Sequence, residues 1–178
     1  MRMNLEIEAK AYVEDIGKIE RILSEMGAHR EGTCYQTDSY FNHPSRNFAQ
    51  TDEALRIRIS NSDTFLTYKG PKIDSFTKTR EELEIHIDDP DISRLLLERL
   101  GFQFIAQVKK ERTMYGYEDL HICLDDVEGL GTFIEVEIQE KDLEKGRSKA
   151  LGFLKQLHLY RLETRSYLEL LLEKMGNI

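Results

Sequence analysis

LEIEAK, residues Leu5–Lys10, alternates an apolar residue with a polar one until Ala9 and Lys10 close the run. A strand turns successive side chains to opposite faces, so Leu5, Ile7 and Ala9 share one face and Glu6, Glu8 and Lys10 the other. The same period of two returns along the chain. Arg56 and Arg58 stand opposite Leu55, Ile57 and Ile59, and Lys69 lies one hairpin away. Arg80, Glu82, Glu84 and His86 run opposite Glu81, Leu83, Ile85 and Ile87. Lys110 and Arg112 form another pair, Asp125 ends a strand, and Glu135 and Glu137 alternate with Ile134, Val136 and Ile138.

These patterns predict strands over Met3–Tyr12, Glu31–Phe41, Leu55–Ile59, Asp63–Lys69, Thr77–Ile87, Phe102–Tyr115, Leu120–Asp125 and Thr132–Gln139. Apolar residues at helical spacing predict helices over Val13–Met26, Asp91–Leu100, Leu143–Leu157 and Ser166–Met175. Gly27 and Gly101 stop the first two, and Gly129 and Gly131 mark a tight turn between strands. The expected fold class is α+β, an antiparallel sheet closing into a β-barrel with flanking helices. At 178 residues, one domain spanning 1–178 can bury a core without disulfides or a structural metal.

Composition narrows the function classes. The chain is 40% hydrophobic and 33% charged, with three prolines and no tryptophan, as in an ordinary soluble protein. Its formal net charge of −8 argues against a general nucleic-acid binder, whose affinity comes from a basic surface. No run is long and apolar enough for a membrane span, and the charges at Glu6, Glu8 and Lys10 do not suit a signal peptide. Cys34 and Cys123 lie far apart without metal-ligand spacing and read as reduced thiols, which together with the N-terminus predicts a cytoplasmic protein.

If the apolar faces pack under helices, the charged faces point into the barrel. Burying one ion costs several kcal/mol even after relaxation, so a lumen of charges calls for water and a charged ligand. Lys10, Arg56, Arg58, Lys69, Arg80, Lys110 and Arg112 would grip phosphate oxygens, arginine through its fork and lysine as a point charge. Glu6, Glu8, Asp125, Glu135 and Glu137 would hold Mg²⁺ or Mn²⁺, whose hard character favours carboxylate oxygen. A single E-x-E-x-K reads as a solvated strand face; recurrence over six strands is what raises it to a polyanion site.

The ordered segments LEIEAK, LRIR (Leu55–Arg58), TYKGP (Thr67–Pro71), REELE (Arg80–Glu84), VKKER (Val108–Arg112) and LDDVEGLGTFIEVE (Leu124–Glu137) resemble the CYTH superfamily. That superfamily groups class IV adenylyl cyclases with thiamine triphosphatases and inorganic triphosphatases. The resemblance implies an eight-stranded antiparallel closed β-barrel, a tunnel holding a triphosphate, often in a homodimer. It makes Glu6, Glu8 and Glu135 metal ligands, joined by Asp125, with Glu137 a ligand or its support. Lys10, Arg56, Lys69, Lys110 and Arg112 match the phosphate-binding bases, and Arg58 and Arg80 fit the same faces. Asp126 points to the opposite face from Asp125.

Within the superfamily the chain looks most like the class IV cyclases, which implies conversion of ATP to 3′,5′-cyclic AMP and pyrophosphate. The alternative is a triphosphatase, in which water attacks tripolyphosphate, thiamine triphosphate or a nucleotide. A non-catalytic polyphosphate or nucleotide sensor ranks last. Lys10, Lys69 and Lys110 are the candidate catalytic lysines, since neighbouring cations can lower a lysine pKa enough for base catalysis. His29, His43, His86, His121 and His158 are scattered, and only His86 falls on a charged face. The polar segment Phe41–Asp52 reads as a surface loop or as a lid carrying Arg46.

Overall fold

The computed structural model describes residues 5–71 and 80–176, with side chains from residue 7 onward. In chain order the elements are β1 (Leu5–Tyr12), α1 (Ile16–Glu25), β2 (His29–Asn42), α2 (Phe48–Thr51), β3 (Ala54–Ser60) and β4 (Asp63–Lys69). They continue as β5 (Glu82–His86), α3 (Pro90–Arg99), β6 (Gln103–Tyr117), β7 (Leu120–Val127), β8 (Gly131–Glu140), α4 (Leu143–Gln156) and α5 (Tyr167–Lys174). The strands form one eight-stranded sheet in the order β1-β8-β7-β6-β2-β3-β4-β5. The ladders β1–β8, β7–β8, β2–β3, β3–β4 and β4–β5 are all antiparallel. This gives the α+β class and the antiparallel sheet; β1 and β5 are its two end strands.

Local chemistry moved several boundaries. The first helix begins at Ile16 rather than Val13, because Asp15 caps it by accepting from the Lys18 N–H, while the Val13 N–H still donates to Thr132 O. Asp89 caps α3, and Pro90 occupies its first turn, where no N–H is needed. β5 covers only Glu82–His86 of the expected Thr77–Ile87 strand, and Thr77–Thr79 lie outside the described residues. The Phe41–Asp52 segment holds an unexpected turn of helix, α2, with Asn42 Oδ1 accepting from the Phe48 N–H at 2.8 Å.

The described residues group into two compact units. The first comprises 5–33 and 111–164; the second comprises 34–71, 80–110 and 165–176. β2 and β6 each pass from one unit into the other. In the first unit the apolar faces of β1, β7 and β8 (Ile7, Ala9, Ile122, Leu124, Ile134, Val136) pack with Ile19 and Leu23 of α1 and Ala150, Phe153 and Leu154 of α4. Gly146 lets α4 approach β1 closely, since a Cβ there would stand 2.3 Å from Ile7 Cδ1.

The second unit has a smaller core, Phe41, Phe48, Leu55, Ile57 and Leu97. On β5 the apolar face is not buried as expected: Leu83 and Ile85 are each 59% exposed among the described residues. An end strand has a neighbour on one side only, so alternation there does not guarantee cover. No helix among the described residues is long and apolar enough to cross a membrane, which leaves β-barrel spans untouched.

Candidate functional site

In the first unit, three cross-strand rows carry the polar face. The β7–β8 turn sets them: Gly129 and Gly131 take φ of 76° and 101°, values that favour glycine, and the Leu130 N–H closes on Val127 O. The resulting register pairs His121 with Glu137, Cys123 with Glu135, and Asp125 with Phe133. On the other side of β8, Glu8 pairs with Glu137, Lys10 with Glu135, and Tyr12 with Phe133.

Three of the expected metal ligands meet here. Glu8, Glu135 and Glu137 can each place a carboxylate oxygen within 4.8 Å of the other two. Three hard oxygen donors from two neighbouring strands fit Mg²⁺ or Mn²⁺. Asp125 stands one row away, fully buried, with both oxygens engaged by Arg112: Nε to Oδ1 at 2.7 Å and Nη2 to Oδ2 at 2.6 Å. Arg112 Nη2 also donates to Glu135. Glu6 pairs through its backbone with Gln139, while its side chain lies outside the described residues.

Electrostatics follow from that crowding. Burial would lower the Arg112 pKa, but the Asp125 and Glu135 carboxylates hold it well above its ordinary value. Burial would likewise raise Glu137, yet the bond from His121 and the charge of Arg112 keep it low. Burial pushes the Cys123 thiol far up. Lys10 is 2% exposed, with Nζ 5.6 Å from the centre of the Phe133 ring.

In the second unit the polar face belongs to β2, β3, β4 and β5. Arg58 makes a two-pronged contact with Asp38, Nε to Oδ1 at 2.7 Å and Nη2 to Oδ2 at 2.6 Å. Arg56 Nη1 reaches the same carboxylate at 3.5 Å, and its Nη2 lies 3.9 Å from Glu84. Burial would raise Asp38, but the two guanidiniums hold it far below the usual carboxylate range. Lys69 pairs with Glu82, and Arg80 Nη2 lies 3.6 Å from Asp52. Lys110, 6% exposed, places Nζ 5.0 Å from the centre of the Tyr167 ring.

The structure thus collects Arg56 and Arg58 around Asp38, with Lys110 near enough to act on the same carboxylate, and sets Lys69 and Arg80 beside other partners. His86 makes long contacts with Asp63 and Asp88 on an exposed edge. Arg46 lies 3.2 Å from Glu53 and over the Phe48 ring.

Sequence reasoning passed over Asp38, which the even-numbered face of β2 (Gln36, Asp38, Tyr40) offered once set against Arg56 and Arg58. It also passed over Glu163, 7% exposed, which accepts from the Tyr12 hydroxyl at 2.8 Å. No periodic signal precedes that residue.

Residues 4–169 match the CYTH domain, nearly the whole chain. The chain belongs to the CYTH family. A CYTH relative from Methanocaldococcus jannaschii that bears a provisional adenylate cyclase name is 41% identical over 173 residues, 93% of this chain and 98% of the relative. Adenylate cyclase CyaB of Aeromonas hydrophila is 30% identical over 139 residues, 74% of this chain and 70% of that protein. Among solved structures, a Pyrococcus horikoshii protein is 43% identical with a TM-score of 0.88, covering 95% of this chain and 99% of its own.

Proposed function

We propose that this CYTH protein is a metal-dependent adenylyl cyclase that converts ATP to 3′,5′-cyclic AMP and pyrophosphate. The observation that carries the reading is the trio Glu8, Glu135 and Glu137, a hard-oxygen donor set on the polar face. The cyclase names of the relatives at 41% and 30% identity favour cyclisation over hydrolysis. When bound, the divalent ion polarises phosphate oxygens and lowers the pKa of an attacking hydroxyl.

The protein's own residues supply positioning and charge. Phosphoryl chemistry asks for little else, so no covalent nucleophile is needed. Lys10, Arg112, Arg56, Arg58, Lys69, Arg80 and Lys110 bind phosphate oxygens in this reading and take up charge on the departing pyrophosphate. The ribose 3′-oxygen attacks the α-phosphorus, the bond to the pyrophosphate oxygen breaks, and Lys10, Lys69 or Lys110 accepts the hydroxyl proton. Asp125 completes the metal set by turning from Arg112 when ligand arrives, and Glu6 joins from the start of β1. Asp38 acts as a positioning residue that presents Arg56 and Arg58. The closed barrel, the homodimer and the cytoplasmic location belong to the same reading; exposed Leu83 and Ile85 offer apolar surface for a second copy.

Triphosphate hydrolysis uses the same phosphate-binding residues with water in place of the ribose oxygen, and it is the second reading. Incubation with Mg²⁺ or Mn²⁺ and, separately, ATP, tripolyphosphate and thiamine triphosphate, followed by phosphorus NMR, distinguishes them. Cyclic AMP with pyrophosphate is expected from ATP. Orthophosphate as the first product would overturn the cyclase in favour of the triphosphatase.

A further inference from the structure

Next to the carboxylate trio lie two further donors, His121 and Cys123, that the proposed reaction does not use. His121 Nδ1 stands 3.2 Å from Glu137 Oε2 and 3.7 Å from Cys123 Sγ. One ligand atom from each of the three residues falls within 4.8 Å of the others. With Zn–S of about 2.3 Å and Zn–N of about 2.0–2.1 Å, neighbouring donors of a tetrahedral site lie roughly 3.3–3.6 Å apart. The two measured separations are therefore already close to those of a metal's coordination shell.

A second observation concerns the other nitrogen of the ring. His121 Nε2 lies 3.5 Å from Glu31 Oε2. A carboxylate behind the distal N–H is how metal-binding histidines are commonly oriented and made more basic. Gly116 leaves room for that carboxylate, since a Cβ there would meet Glu31 Oε1 at 2.9 Å. The donor set is nitrogen, sulfur and oxygen, which suits zinc or cobalt rather than magnesium.

We propose that His121, Cys123 and Glu137 form a binding site for a divalent ion of the zinc or cobalt class, and that its occupation withdraws Glu137 from the Glu8–Glu135–Glu137 trio. Binding releases the Cys123 thiol proton to solvent and leaves one position for water. Glu137 is the one residue common to both donor sets, so the two ions compete for it. The inhibitory half of the proposal rests on the metal-dependent activity proposed above; the binding half does not.

Cobalt titration of the metal-free protein tests the binding half without any assay of turnover. Expected is a thiolate-to-cobalt charge-transfer band that saturates at one equivalent and is absent in Cys123→Ser. His121→Gln, at a position with a 41% exposed side chain, is expected to fold and to lose at least tenfold in cobalt affinity. No charge-transfer band in the wild type, or one that persists in Cys123→Ser, would overturn the site. In the second arm, stoichiometric Zn²⁺ is expected to cut Mg²⁺-supported turnover at least tenfold in the wild type. His121→Gln, measured against its own Mg²⁺-supported turnover, should resist Zn²⁺. Cobalt binding with Zn²⁺-indifferent turnover would overturn the withdrawal of Glu137. Absence of all turnover would instead count against the proposed function, with the cobalt band still judging the site.

Discussion

The two polar faces use one device with opposite signs. In the first unit, Arg112 forks onto Asp125 and also reaches Glu135, a cation shared by two acids. In the second, Asp38 receives the fork of Arg58 and also lies near Arg56, an anion shared by two bases. The bidentate distances are the same, 2.7 and 2.6 Å in each. Each face therefore buries one ion between two of the opposite sign and so holds that pair in place. That is how a sheet can present carboxylates at one end of its strand order and guanidiniums further along without either set repelling itself apart.

Removing the shared ion is the sharpest way to break the comparison. Arg112→Ala leaves Asp125 and Glu135 buried without their shared cation, a loss of about 3–5 kcal/mol. Denaturant unfolding at pH 7 should show it, and a loss below about 1 kcal/mol would mean that other groups neutralise the acids.

Asp38→Asn makes the mirror-image cut. It is expected to cost about 3 kcal/mol at neutral pH, the low end for a broken buried pair, because Arg56 retains Glu84 nearby. Its pH dependence has a definite sign. The folded Asp38 carboxyl is held below its unfolded value, so its contribution is complete above the ordinary carboxylate range. It is lost as pH falls toward and through the depressed folded value. The stability gap between wild type and Asp38→Asn should thus be widest at pH 7 and narrow below roughly pH 4. A gap independent of pH would remove the electrostatic account.

The smallest effect on stability is expected at Glu8, one of the acids of the trio and only partly buried. Glu8→Gln should change stability by no more than about 0.5 kcal/mol. Turnover should nonetheless fall by about 10²-fold, the usual consequence of removing one charge-stabilising group. Wild-type turnover in this variant would take Glu8 out of the metal trio.

Which parts of this were legible beforehand follows from how each residue reports itself. Alternation in LEIEAK or IEVE is a local property, so the strands and the acids Glu8, Glu135 and Glu137 could be read directly. The start of α1 moved three residues on because Asp15 caps rather than joins it, and α3 begins one residue earlier than expected because Asp89 caps it ahead of Pro90. Asp38 was overlooked because its neighbours on β2 are mixed in character and its partners lie across a ladder. His121 is a similar case: it and Glu137 are equidistant from Gly129, so folding the hairpin on paper at that glycine would have paired them. Glu163 had no such route, since it meets Tyr12 from a segment outside the ladders described for β1.

The counterion of the buried acids Asp125 and Glu135 is Arg112. A cluster of acids that needed a divalent ion as its counterion would tie folding to metal supply, as in small zinc domains. Here the counterion is part of the polypeptide, made with the chain and unable to diffuse away. The fold is therefore expected to outlast chelation, so that metal availability switches chemistry on and off in a protein that stays assembled throughout.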